Sequence, residues 1–474
     1  MWSVCLRRIP AAVPVLSCVL VLGGWISESR AAETATPVAP VPAPKVSAAD
    51  ASRSATPETK VRPAVANPTA DADKAAGKAS DKAADTEMTA EEGKPAEKGA
   101  KVFRGRAGFF KRLPPRTERT AEERKEFVER LRVEYSRPSA EWSPPQVDAE
   151  VRWVELGRLP KVTFPEDNPF TKQKAELGRL LFFDPRLSGS GQIACASCHD
   201  PDLAWADGRT TSFGHQRASL ARNAPSIVNT AFLKRLFWDG RADSLEDQAR
   251  QVLLNPLEMH STEAHLVSQL QAIPEYKVLF DTVFGDRPIS MTTVTQALAT
   301  FERTIVGGRS RFDRFLAGDK AALSDEELIG LDLFRKEGRC MNCHYGPTFT
   351  DEAFHDIGLS YFGRSLEDLG RYQQTKANAD VGRFRTPSLR NVANTAPYMH
   401  NGVFPLTGVL NMYNAGMPTL TPKPDQKADP RFPTKSTHLR PLGLNQRDLQ
   451  DLQAFLEALS EPRFRMRAPK LPGG

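Results

Sequence analysis

The 474-residue chain is long enough for two or three domains, and its net charge of +6 is too mild to define a partner class. Only six cysteines are present, and Cys5 and Cys18 fall in an N-terminal segment expected to be removed. The remaining Cys195, Cys198, Cys340 and Cys343 stand in two tight pairs, which excludes a scattered disulfide framework.

The N-terminus carries Arg7 and Arg8, a mostly apolar run over residues 11–26, and Ser29-Arg30-Ala31 as a small-x-small cleavage site. This pattern predicts an export signal over residues 1–32 and a periplasmic mature protein. A permanent membrane anchor is the lesser alternative, because Pro14 and Gly23-Gly24 break a run already short for a bilayer. Residues 34–100 are mostly Ala, Pro, Lys, Glu, Thr and Asp. Too little apolar surface is available there to offset chain entropy, so residues 33–118 read as a disordered and then basic linker. Between residues 101 and 119 seven Lys or Arg stand against one Glu, with Phe103, Phe109 and Phe110 interleaved. A solvated linker is the expected reading, and a docking patch for an acidic partner or a lipid surface is the alternative. Nucleic acid is not an expected partner of an exported chain.

Thr120 and Glu123 form a capping box that opens a charged helix toward Val133. The connector over residues 119–160 then becomes Pro-rich from residue 137. Packed sequence is expected from about Val162 to Pro462, and its periodicity is helical. Ala175, Leu177, Leu180 and Leu181 share one face, as do Leu449, Leu452, Phe455, Leu456 and Leu459. Ser244 and Asn445 are candidate N-caps, and Ser324 with Glu327 makes a second capping box. Period-2 strands are scarce, so the class is mostly α. An internal repeat divides this region: "GRLLF" at 178–182 precedes Cys195, and "GLDLF" at 330–334 precedes Cys340. Each half therefore has an amphipathic helix, a turn and a Cys-x-x-Cys-His motif, which suggests duplication of one small module. The halves are placed at 161–318 and 319–464, with a tail at 465–474.

In Cys-x-x-Cys-His the two thiols can add to the vinyl groups of haem while the next imidazole reaches the iron. A redox dithiol would belong in a βαβ context that is missing, and a zinc site would need the two pairs to meet across about 145 residues. Two copies, each with its own histidine and each after a matching helix, favour two covalently bound haem c groups. Cys195, Cys198, Cys340 and Cys343 are the attachment points, and His199 and His344 the proximal ligands.

Together with "LGRLLFFDPRLSGSGQIACASCHD", "RNAPSIVN", "FWDGRADSLEDQ", "NPLEM", "RCMNCHYGPTF", "FRTPSLRNVANTAPYMHNGVF" and "VLNMYNAG", these motifs carry a resemblance. Over roughly residues 161–462 the chain resembles the bacterial di-haem cytochrome c peroxidase and MauG superfamily. The resemblance implies two cytochrome c-like haem domains in tandem. Hydrogen peroxide would react at the His199 haem, and the His344 haem would transfer electrons. It also implies Trp238 between the haems, with Gln248 and Glu258 over the peroxide site; many relatives hold Pro where this chain has Val252. His215 matches a histidine that caps the peroxidatic iron in peroxidases needing reductive activation. His400 matches a stretch near a haem propionate, while His260, His265, His355 and His438 receive no role and most of them are expected to be solvated. Tyr413 falls where many peroxidases hold a Met ligand and MauG-type proteins a Tyr, with Met412 and Met417 as alternatives. Asn223, Thr395 and Pro397 match positions that hold a calcium ion.

The implied activity is that of a MauG-like di-haem peroxidase, working with a small redox protein donor or on a protein substrate. A reductively activated cytochrome c peroxidase and a non-enzymatic di-haem electron carrier are the rival readings. The resemblance also suggests a homodimer.

Overall fold

The computed structural model describes residues 113–462 and 466–474. The expected export signal, the Ala/Pro/Lys-rich tether and the basic stretch up to residue 112 lie outside them. Among the described residues no helix is long and apolar enough to cross a membrane. The chain is mostly helical, as its periodicity predicts. The helices are α1 (Ala121–Ser136), α2 (Lys172–Phe182), α3 (Leu245–Leu254), α4 (Glu263–Gln271), α5 (Pro274–Phe284) and α6 (Met291–Glu302). They continue with α7 (Arg311–Leu316), α8 (Asp325–Arg335), α9 (Tyr372–Thr375), α10 (Leu406–Asn414) and α11 (Gln446–Ala458). A short antiparallel hairpin pairs β1 (Phe354–Asp356) with β2 (Arg383–Arg385), His355 facing Phe384.

The predicted caps form. Thr120 accepts from the Glu123 amide and Glu123 returns the bond, Ser324 and Glu327 do the same, and Ser244 and Asn445 each cap the amide three residues on. Such caps satisfy amides that the helix leaves without partners.

The two halves repeat one packing device. In the first, α2 crosses α6; in the second, α8 crosses α11. A Cβ at Gly178 would lie 2.0 Å from the Ala297 carbonyl oxygen and 2.8 Å from the Phe301 Cβ. A Cβ at Gly330 would lie 2.0 Å from the Asp451 oxygen and 2.7 Å from the Phe455 Cβ. Only glycine lets each helix pair approach this closely, and the closeness lets the flanking side chains interlock. Leu177, Leu181, Phe182, Tyr276, Phe280, Leu298 and Phe301 form the first core; Phe312, Leu328, Phe334, Phe349, Leu452 and Phe455 anchor the second.

The packed region starts well before the expected Val162. Residues read as a capped helix and Pro-rich connector belong to the second core, where Leu131, Tyr135, Trp142 and Leu156 are buried. The helix α1 lies on α8. Tyr135 donates to Asp332 at 2.7 Å, Arg124 makes a two-pronged pair with Asp451, and Arg116 does so with Asp448. After α1 the chain forms a strap along the second Cys-x-x-Cys-His loop. Asp148 receives Arg339, and its amide donates to Asn342; the Gly346 amide donates to Val154, and the buried Arg335 pairs with Glu155. Charged α1 and the prolines hide this burial from a periodicity reading, because few apolar residues anchor the segment.

At the other end, residues 466–474 return to the first half. Met466 packs on its core and Arg186 donates to the Pro472 carbonyl at 2.9 Å. The halves are joined by Arg222, which pairs with Asp239 in the first and Asp368 in the second, each at 2.7 Å. The Asn223 amide also donates to the His400 carbonyl and the Arg385 amide to that of Trp238, both at 2.8 Å.

Candidate active site

Each Cys-x-x-Cys-His motif coils into a 3₁₀ turn, and the histidine amide bonds back to the first cysteine carbonyl. The turn brings both thiols and the imidazole onto one cavity wall. His199 places Nδ1 3.1 Å from the Trp205 carbonyl oxygen, and His344 places Nδ1 2.9 Å from that of Phe349. A carbonyl only accepts, so Nδ1 carries the hydrogen and Nε2 keeps its lone pair for a metal. Desolvation lowers both imidazole pKa values, which favours the neutral, ligating form.

The first cavity measures about 800 Å³ and is lined by Cys195, Cys198 and His199 on one side. Gln248, Val252 and Glu258 line it as well. Gln248 and Val252 project from α3, whose start is set by the Ser244 cap. Just past that helix Asn255 holds the turn, accepting from the Leu257 amide and donating to Glu258 Oε1 at 3.0 Å. Burial pushes the Glu258 carboxyl above its ordinary range, against the opposing pull of the Arg241 charge and the Asn255 amide.

The second cavity, about 260 Å³, is lined by Cys340, Cys343, His344 and Tyr413. Tyr413 comes from α10, and burial raises its phenol pKa. Its neighbours Met412 and Met417 are not on the cavity wall. Trp238 lines both cavities, its indole nitrogen donating to the Asn223 carbonyl at 3.0 Å. His400 also borders both, stacked on Phe384 with ring centres 3.8 Å apart. Asn223, Thr395 and Pro397 share the wall of the second cavity. The Asn223 side-chain nitrogen is bonded to the Arg209 carbonyl, which leaves its Oδ1 as the atom able to meet a cation.

These residues fit covalent haem. The four thiols are free, and burial raises their pKa values, the opposite of what a reactive dithiol requires. Among the described residues no metal-holding cluster unites the two pairs, so a shared zinc site is not formed. Arg385 is buried, borders both cavities and bonds only carbonyls, of Phe237 and Thr386. His400 Nε2 and both side-chain polar atoms of Asn401 have no hydrogen-bond partner among the described residues. A buried cation and unpaired polar atoms of this kind suit the carboxylates of haem propionates.

Two expectations meet a different arrangement. His215 does not line the first cavity: its ring stacks on His260 at 4.2 Å, and its amide is held by the Leu257 and Glu258 carbonyls. The histidines expected to be solvated mostly have partners. His355 meets Asp351 and His438 meets Asp148, both at 2.8 Å, and both line the second cavity. His265 contacts the Ser188 carbonyl, and only His260 is exposed. Sequence reasoning missed Arg241, Arg385 and Glu302 on the cavity walls. Extending the internal repeat as far as α6 and α11 would have exposed Glu302, since it aligns with an apolar residue in the second half.

Residues 172–321 match the di-haem cytochrome c peroxidase family. The methylamine utilization protein MauG of Methylorubrum extorquens is 40% identical over 331 residues, covering 69% of this chain and 89% of that protein. The cytochrome-c peroxidase IdrP1 of Denitromonas iodatirespirans is 39% identical over 356 residues, covering 68% and 91%. Among solved structures, a MauG-like protein associated with microbial copper homeostasis aligns with TM-score 0.57 at 33% identity, over 68% of this chain and 99% of that one. The diheme peroxidase BthA of Burkholderia thailandensis aligns with TM-score 0.54 at 26% identity, over 70% and 98%.

Proposed function

The chain belongs to the di-haem cytochrome c peroxidase family, with two covalently bound c-type haems, and from that premise we propose a MauG-like division of labour between its two cavities. The observation that carries it is their asymmetry. Gln248 and Glu258 face only the first cavity, Tyr413 faces only the second, and Trp238 borders both.

Haem, when bound, supplies the redox-active iron at which peroxide is reduced and through which electrons pass. Cys195, Cys198 and His199 would hold it in the first cavity; Cys340, Cys343 and His344 would hold it in the second. Glu258 Oε then takes the proton from the near oxygen of peroxide and returns it to the departing oxygen, with Gln248 orienting the molecule by hydrogen bonding. Asn255 fixes the carboxylate in place. Trp238 supplies a π-system between the cavities, and Tyr413 would offer its phenol oxygen to the group held by His344 in the second. Bound to iron as the phenolate, it would favour the oxidised states of the centre, which supports the MauG-like branch over one with a thioether ligand. The stacking of His215 on His260, off the cavity, supports peroxide access without prior reduction. Electrons would reach the second centre from a small redox protein or from a protein side chain being oxidised. We place this chemistry outside the cytoplasm, on the strength of the N-terminal export pattern.

Rapid mixing of the fully oxidised holoprotein with hydrogen peroxide, followed by haem absorption, tests the proposal. An immediate change in the oxidised form supports it. A response only after half-reduction would assign the protein to the reductively activated peroxidases, and silence in both states would leave an electron carrier.

A further inference from the structure

The glycine-centred helix crossings set a common register between α6 and α11. Gly178 corresponds to Gly330, Ala297 to Asp451 and Phe301 to Phe455, because each glycine meets the matching backbone oxygen and aromatic Cβ. In this register Leu298 corresponds to Leu452, and both line their own cavity. The next cavity-lining position along the same helix is Leu456 in the second half and Glu302 in the first. A carboxyl therefore stands against the first haem site where the duplicated module otherwise presents an isobutyl group.

The setting of Glu302 is unusual for a surface-type residue. It is 5% exposed, at the end of α6, and its carboxyl accepts no hydrogen bond from any described residue. Its neighbour Arg303 is committed elsewhere, making a two-pronged bond to Glu246 on α3 at 2.7 and 2.8 Å. Lys174 on α2 is likewise bound, to Asn168 and the Pro169 carbonyl. Cys195 lies beside Glu302, and Glu258 and Arg241 stand on the wall they share; Cys198, His199, Arg222, Asp239, Glu367, Asp368, Arg385 and His400 also face this cavity. Burial pushes the Glu302 carboxyl up to about 8, with Glu246 adding to the rise and Arg303 opposing it. An unpaired buried carboxyl in such surroundings holds its proton at neutral pH.

We propose that Glu302 is the charge-compensating group of the first haem site, keeping its proton while the site is reduced and releasing it when the site is oxidised. The balance is one proton per electron: for each electron the site loses to an external oxidant such as an electrode mediator, the Glu302 Oε–H bond would break and its proton leave for solvent. Reduction reverses both transfers. The second half, with Leu456, has no such group at this position, so only the first centre would be coupled in this way. The inference rests on haem occupying the first cavity.

The experiment is a spectroelectrochemical titration of the di-haem holoprotein between pH 6 and 9.5, in the natural protein and in Glu302→Gln, with Glu258→Gln as the control for the other cavity carboxyl. Glu302→Leu, which copies the second half, is the second variant should the amide perturb packing. Expected is a first-centre midpoint that falls with rising pH around neutrality and above, a dependence lost in both Glu302 variants and kept in Glu258→Gln. The second-centre midpoint should not change its pH dependence. Redox-difference infrared spectra of the natural protein should show a protonated-carboxyl C=O band disappearing on oxidation, absent from Glu302→Gln. An unaltered pH dependence in the Glu302 variants, or an infrared band that survives them, overturns the inference. Finding only one haem per chain, attached at Cys340 and Cys343, would instead overturn the reading of the first cavity on which it rests.

Discussion

Glu258 shows how a side chain acquires a role through its surroundings. As a sequence position it is one acidic residue in a Pro- and Leu-containing turn; in the structure Asn255 holds it at 3.0 Å and burial raises its pKa. A general base must be ionised to take a proton, so its protonated form is inactive. Peroxide reactivity should therefore rise with pH through an apparent pKa above the ordinary value of about 4.3 for glutamate. Glu258→Gln should slow peroxide reduction by about 10²–10⁴-fold and abolish that acid limb, with both haems still attached. Stopped-flow rates across pH 4 to 8 check both points, and unchanged rates would remove the assigned role. Tyr413 is the complementary case. Sequence spacing left it beside Met412 and Met417, and the turn of α10 places the tyrosine alone of the three on the cavity wall.

Among elements, the crossed pairs α2/α6 and α8/α11 do the positioning. Each brings a helix carrying cavity-wall residues against the helix that leads into a Cys-x-x-Cys-His turn. The crossing depends on the missing side chain at Gly178 and Gly330. A methyl group at Gly330 would meet the Asp451 backbone oxygen, which cannot swing aside as a side-chain end could. Gly330→Ala should therefore destabilise the holoprotein by about 1–3 kcal/mol, the usual cost of overpacking a core, despite the better helix propensity of alanine. Denaturant unfolding measures this, and a neutral or stabilising result would mean that the helices can separate at little cost. The caps at Thr120, Ser244, Ser324 and Asn445 were all legible beforehand, because a cap is written within four consecutive residues.

At the scale of the molecule, the described segments that flank the two halves pack on the half distant from them in sequence order. The segment before the first haem half packs on the second, and residues 466–474 pack on the first. Trp142 measures the first of these contacts. It is 6% exposed, its ring meets Tyr135 edge-on at 4.9 Å, and its indole nitrogen bonds the Arg137 carbonyl. Trp142→Ala should cost about 3–5 kcal/mol, as for other buried aromatic truncations. A residue in a solvated connector would cost nearly nothing. Thermal and denaturant unfolding of the holoprotein separate the two cases. Where the halves meet, Arg222 spans Asp239 and Asp368 and holds together the walls that Trp238, Arg385 and His400 share.

The two haem-attachment motifs, the helical class, the caps and the duplication were determined by the sequence alone, since each is a pattern of near neighbours. Trp238, Gln248 and Glu258 were named only through a family resemblance, and all three line the first cavity. Tertiary structure alone decided which way His215 faces, that Tyr413 and neither Met412 nor Met417 reaches the second cavity, and that residues 113–160 are part of a core. It also decided that Glu302 is buried without a hydrogen-bond partner among the described residues. All of these depend on contacts between residues far apart in the chain, where one helical turn of rotation or one close crossing reassigns a side chain from solvent to cavity. Local pattern carries no information about that choice.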